Sequence, residues 1–134
     1  MSHILQAHND EHDVVVGNSL VDMYGKLCHM KESNLIFQSL GSRDIMSWNA
    51  LITGYAQQGQ SHEALNCFEQ MQLEGISPDE GTFRGVLSAC SHSGLLDEAE
   101  MLYGNMSKKY GVDPNIEHHT CMVMAFGGQF GLDY

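Results

Sequence analysis

Ile45-Met-Ser-Trp-Asn-Ala-Leu-Ile-Thr-Gly-Tyr-Ala-Gln-Gln-Gly59 decides the architecture. Trp48, Leu51, Ile52 and Tyr55 stand at i, i+3, i+4 and i+7, the spacing of one apolar stripe on an α-helix. Gly59 ends the stretch with a residue that has no Cβ, which suits a helix closing in a left-handed conformation. The pattern recurs on both sides. Setting Gly17, Trp48, Phe83 and His119 in register aligns Leu20, Leu51, Val86 and Met122, then Val21, Ile52, Leu87 and Val123, then Tyr24, Tyr55, Cys90 and Phe126. Each unit therefore opens with a helix, A, that buries an equivalent face.

A second set of columns follows each A helix: Glu32, Glu63 and Glu98; Phe37, Phe68 and Tyr103; Leu40, Met71 and Met106. Phe68 and Met71, with Ala64 and Leu65 a turn earlier, again form a helical stripe, which defines helix B. Gly94 answers Gly59 between A and B. Gly75 with Pro78, and Gly111 with Pro114, are stop signals after B. The units so delimited are 14–44, 45–79 and 80–115, of 31, 35 and 36 residues. Residues 116–134 start a further unit that lacks its second helix, and residues 1–13 close a preceding one. A single helix pair of this size cannot bury its apolar face, so the pairs are expected to stack into an all-α solenoid of helix-turn-helix repeats. No alternating strand pattern survives this register.

Composition bounds the function. A hydrophobic content of 43 % is enough for a packed core, yet the apolar runs are far shorter than the roughly 20 residues of a membrane span. The first twelve residues hold acids and histidines without arginine, unlike a secretory signal or an organellar transit peptide. The net charge of −11 sets 17 acids against Lys26, Lys31, Arg43, Arg84, Lys108 and Lys109. That balance opposes sequence-independent phosphate binding, so a nucleic-acid role must rest on base contacts or on other parts of a longer protein. Cys28, Cys67, Cys90 and Cys121 form no Cys-x-x-Cys pair and are expected to be buried free thiols. Neither His-x-Glu nor Cys-x-x-Cys occurs, so the zinc site of a deaminase is not encoded. His8 with His12, and His118 and His119 with Cys121, lack a closed ligand set. The expectation is no catalytic residue, no metal, no cofactor, no small-molecule substrate and no membrane.

Ile45–Gly59, Glu74-Gly-Ile-Ser-Pro-Asp79 and Gly85-Val-Leu-Ser-Ala-Cys-Ser-His-Ser-Gly-Leu95 together resemble the pentatricopeptide repeat (PPR) proteins. The alternating unit lengths are similar to those of the plant PLS subgroup. The resemblance covers about residues 14–124, and Ile116-Glu-His-His-Thr-Cys-Met-Val123 looks like the S-type motif that precedes C-terminal extensions in that subgroup. The tetratricopeptide repeat is partly echoed by Trp48, Leu51 and Tyr55, but it wants Gly where Ile52 stands.

The resemblance implies an α-solenoid that recognises single-stranded RNA at one base per repeat, inside an RNA-processing or RNA-editing factor of a mitochondrion or chloroplast. Another domain or protein, such as an editing cofactor, would do the chemistry. It further implies base reading by Asn18 with Asp44 and by Asn49 with Asp79, with Val15 and Met46 packing beside the bases. Both pairs are the combination linked to pyrimidines, uracil above cytosine. Asn offers a donor and an acceptor to a base edge while a carboxylate orients its amide. Lys26 occupies a position where the family often contacts phosphate, but Gln57 and His92 fill it in the next two units. The third unit offers Arg84 and Asn115, with Gly81 where a packing residue would stand, and no base is assigned to it. Read without the repeat register, Asp79 and Asn49 are helix caps. The competing function is a helical scaffold for protein partners, which the net acidity favours.

Overall fold

The computed structural model describes residues 11–127, and among them seven helices and no strand. They are α1 (Glu11–Lys26), α2 (Met30–Ser39), α3 (Ile45–Gln57), α4 (Ser61–Leu73), α5 (Glu80–Ser93), α6 (Leu96–Lys108) and α7 (Ile116–Phe126). Helices α1, α3, α5 and α7 are the A helices; α2, α4 and α6 are the B helices. α1 begins at Glu11, so its first residues lie in the stretch assigned from sequence to a preceding unit. Residues 1–10 and 128–134 lie outside the described residues, as does His8.

The A helices form one continuous layer, α1 against α3, α3 against α5 and α5 against α7. Each B helix seats between its own A helix and the next one, and the B helices scarcely meet one another. Glycine permits close A-layer approach: a Cβ on Gly85 would stand 2.8 Å from Ile52 Cγ2, and one on Gly25 would stand 3.4 Å from Gly54 Cα. The sequence columns become the core. Leu51, Ile52, Val86 and Leu87 are buried on the inner faces of α3 and α5, and Phe37, Phe68, Met71 and Met106 enter from the B helices.

At each seam the aromatic column of helix B meets the first aromatic column of the next helix A. Phe37 packs edge-on against Trp48 with ring centroids 4.7 Å apart, and Phe68 against Phe83 at 5.5 Å. Such pairs add about 0.5–1.5 kcal/mol beyond area burial. The third seam has Tyr103 against His119 at 5.7 Å, with the phenol oxygen 2.5 Å from His119 Nδ1.

The A-to-B turns close alike. Gln60 N–H bonds Tyr55 O and Leu95 N–H bonds Cys90 O, both at 2.9 Å, across left-handed Gly59 and Gly94. The first turn makes the same bond, His29 N–H to Tyr24 O at 2.8 Å, but its left-handed residue is Cys28 (φ 65°). A side chain there costs about 1–2 kcal/mol. Cys28 is exposed, against the expectation of a buried thiol, because the turn points it outward. Cys67 and Cys90 are buried as expected, and burial pushes their pKa values up to about 12 and about 11.

Candidate nucleic-acid interface

The helix starts are set by three parallel caps. Asp44, Asp79 and Asn115 are extended residues whose side chains accept backbone N–H groups of α3, α5 and α7. Each is followed three residues later by a side chain that returns the bond to the cap's own N–H: Ser47 at 3.1 Å, Thr82 at 3.1 Å and His118 at 3.0 Å. This is a reciprocal cap, which satisfies donors a helix would otherwise leave open. All three returning side chains are buried.

At the first two seams the cap does a second thing. Asp44 Oδ1 accepts from Ser47 N–H at 3.0 Å and also from Asn18 Nδ2 at 3.0 Å, across from α1. Ser47 Oγ accepts from Asp44 N–H, which leaves its single proton to donate; the shortest contact is to Asn18 Oδ1 at 2.6 Å. Asp79, Thr82 and Asn49 repeat the ring, with Thr82 N–H to Asp79 Oδ1 at 3.0 Å, Asn49 Nδ2 to Asp79 Oδ1 at 3.0 Å and Thr82 Oγ1 to Asn49 Oδ1 at 2.5 Å. A carboxylate only accepts, so each amide must turn its Nδ2 toward the aspartate. One amide N–H and one carbonyl lone pair of each asparagine remain unused by the ring.

Capping and cross-seam pairing are therefore one arrangement rather than alternatives. Asn49 lies inside α3 and caps nothing; Asp79 caps α5 and holds Asn49 at once. Burial works to raise the pKa of Asp44, but hydrogen bonds led by those from the Ser47 N–H and the Asn18 amide outweigh it. The net shift is downward, and Asp79 is lowered in the same way by Thr82 and Asn49 against its burial. Both stay ionised at neutral pH. Ser47 and Thr82 were not singled out from the sequence, although Asp-x-x-Ser and Asp-x-x-Thr signal them.

The third seam has no such ring. Arg84, in register with Asn18 and Asn49, pairs with Glu117 at 3.1 Å. Asn115 Nδ2 reaches Glu80 Oε1 at 3.4 Å. His118 Nδ1 accepts from Asn115 N–H, which places the ring proton on Nε2, 2.9 Å from Glu80 O. Both imidazole nitrogens are thus occupied, and His119 Nδ1 faces Tyr103. Among the described residues no group of three His, Cys, Asp or Glu stands close enough to share a metal ion.

A groove of about 510 Å³ runs over the A layer, lined by Asn18, Met46, Asn49, Asp79, Gly81 and Arg84 among others. Met46 lines the groove with both asparagines and is 61 % exposed, a large apolar side chain kept in solvent. Val15 is equally open, one turn before Asn18, but does not line the groove. Lys26 sits at the end of α1, outside the groove lining, and pairs at 2.8 Å with Asp22, which does line it.

Paired helices stacked in two layers, with a polar ring repeated at successive seams, define a helical-repeat solenoid. Residues 43–92 match the PPR repeat family and residues 81–110 the PPR repeat. Over residues 43–110, just over half of its length, the chain is a member of the PPR family. It is 45 % identical over 118 residues to a pentatricopeptide repeat-containing protein of Arabidopsis thaliana, covering 88 % of this chain and 17 % of that protein. A mitochondrial pentatricopeptide repeat-containing protein of the same plant is 41 % identical over 121 residues, covering 90 % of this chain and 26 % of its own length. The chain thus corresponds to a minor part of the relatives it matches. The structure of the pentatricopeptide repeat protein PPR10 in complex with an 18-nt psaJ RNA element superposes with a TM-score of 0.77 at 21 % identity, over 85 % of this chain and 17 % of that one. PPR10 comes from maize. That likeness establishes the solenoid fold.

Proposed function

We propose that the chain is a sequence-reading segment of a PLS-type PPR protein that takes single-stranded RNA on its A layer, one base per repeat, with units 14–44, 45–79 and 80–115 as successive repeats. Asn18 with Asp44, and Asn49 with Asp79, each receive a pyrimidine. The observation that carries this is the pair of matching rings. Each holds an asparagine amide in one orientation, at the groove, with one N–H and one carbonyl lone pair to spare. That is one donor beside one acceptor, the complement of uracil's carbonyl and N3–H. Met46 is placed to pack against a base at either asparagine. The whole protein acts on an organellar transcript, in keeping with the mitochondrial relative, and its chemistry belongs to another domain or an editing cofactor.

Two such sites bind weakly alone. A stacked base is worth about 1–3 kcal/mol and a good polar base contact about 1–3 kcal/mol. Against these stand an association cost of roughly 4–15 kcal/mol and an acidic surface. The test is to place residues 14–79 within a longer PPR array and measure binding to RNAs varied at the two facing positions. Uracil should be preferred at both, and Asn49→Thr should shift one position alone toward a purine. Equal binding of all four bases would sink the reading. The scaffold alternative would then stand, supported by an apolar groove between α4 and α6 that exposes Leu73 and Met101.

A further inference from the structure

We propose that Arg84 is a base-contacting residue of the Asn49 site: its guanidinium stacks on the pyrimidine held there, on the side where Gly81 presents no side chain. The inference rests on the RNA reading of that site. It starts from a difference between two rings that otherwise match.

Position 81 borders the Asn49 amide. A Cβ on Gly81 would stand 3.1 Å from Asn49 Nδ2 and 3.4 Å from Asp79 Oδ1. The corresponding residue at the first seam, two after the capping aspartate, is Met46, whose side chain lies exposed beside Asn18. A base on Asn18 therefore meets methionine on that side, and a base on Asn49 meets no side chain from position 81. Arg84 follows Gly81 by three residues, on the same face of α5, and lines the same groove as Asn49 and Asp79. Among the described residues it is the one cation lining that groove.

Arg84 is also loosely held. Its contact to Glu117 spans 3.1 Å with both side chains about half exposed, and an ion pair so open to water is worth little. Exchanging Glu117 for a base therefore meets a small barrier. A guanidinium is planar and weakly hydrated, and it stacks on nucleobases where an ammonium does not. Its charge also offsets Asp79, the carboxylate nearest the bound base. Position 84 breaks the asparagine pattern, and in this reading the residue serves the preceding base instead of one of its own.

The test uses the whole chain, isotope-labelled, titrated at low salt with a short oligouridylate and followed through the side-chain resonances of Asn49 and Arg84. The expected result is movement of both, with the Arg84 Nε–H shifted upfield by the ring beneath it. Arg84→Lys, which keeps the charge and loses the plane, should weaken binding about fivefold, the lower end of a stacked base's worth. Glu117→Gln should tighten it about twofold, and that gain should vanish in the Arg84→Lys background, since the coupling runs through the arginine. If Asn49 moves while Arg84 stays still, or if Arg84→Lys binds like the parent, the stacking role is overturned and the RNA reading stands. If neither residue moves even with oligouridylate raised to about 1 mM, where weak binding by two sites still perturbs side-chain resonances, both fall together.

Discussion

At the seams between α1 and α3 and between α3 and α5, an aspartate that caps the later helix also grips an asparagine of the earlier one. An aromatic pair lies sealed beneath, Phe37 on Trp48 or Phe68 on Phe83. At the seam between α5 and α7 the same positions carry Asn115, Arg84 and His118, and the aromatic pair is replaced by a more open one, Tyr103 with exposed His119, whose polar atoms face each other. The backbone geometry of the cap is unchanged. What differs is which side chains need a neighbour. An ionised carboxylate accepts several donors and draws in the asparagine across the seam, whereas Asn115 and His118 satisfy each other and leave Arg84 to seek Glu117. Caps can thus be conserved in form while the surface they present changes in chemistry.

The largest way to break this contrast lies in the rings. Trp48→Ala removes a side chain that is 3 % exposed and should cost about 3–5 kcal/mol. His119→Ala, at an exposed position of the third seam, should stay within about 1 kcal/mol. Urea midpoints of the two variants measure the difference, and equal losses would mean that the third seam is as tightly joined as the first.

Thr82→Val comes next. It keeps the shape but removes the hydroxyl that serves both Asp79 N–H and Asn49 Oδ1, leaving buried groups short of a partner at about 1–3 kcal/mol. It should also release the Asn49 amide, seen as line broadening or a shift of its side-chain signals. A sharp, unmoved amide would show that Asp79 alone orients it.

The acid limb of stability sharpens the comparison by charge. Asp44 and Asp79 have folded pKa values below the ordinary 3.8, so the unfolded chain binds their protons more readily. Their contribution is present above about pH 4 and is lost as pH falls through the lowered folded values. The third cap, Asn115, has no such proton. Replacing Asp44 and Asp79 together by Asn should flatten the dependence of the urea midpoint below pH 4, and a slope as steep as the parent's would assign it to other carboxylates.

The smallest effect is expected at Arg84. Arg84→Ala breaks an exposed ion pair and should change stability by only about 0–1 kcal/mol, the variant serving as a check that Arg84 is free to act elsewhere.

The helical register was legible because period and burial coincide: Leu51, Ile52, Val86 and Leu87 occupy the columns that place them inside. The asparagines and aspartates were found by resemblance, but their relation was not. Asp79 looked like either a cap or a reading residue, because sequence separation hides that Asn49, thirty residues earlier, lies across the seam from it. Ser47 and Thr82 carry a local signal; Arg84 and Gly81 show in the register only as breaks in the pattern, since their meaning depends on what the neighbouring helix places opposite. Cys28 stands where Gly59 and Gly94 close the later turns, and the chain nonetheless holds it left-handed.

One feature of the packing has a mechanical side. The A helices are joined without interruption, while the B helices stand apart, with a cleft of about 340 Å³ between α2 and α4 and another of about 510 Å³ between α4 and α6. A body continuous along one edge and slotted along the other behaves as a leaf spring. Flexing narrows or widens the slots, where few contacts resist, and leaves the core between each B helix and its two A helices intact. Such bending alters the curvature of the A layer and leaves the separation of neighbouring A helices, and so of Asn18 and Asn49, nearly unchanged.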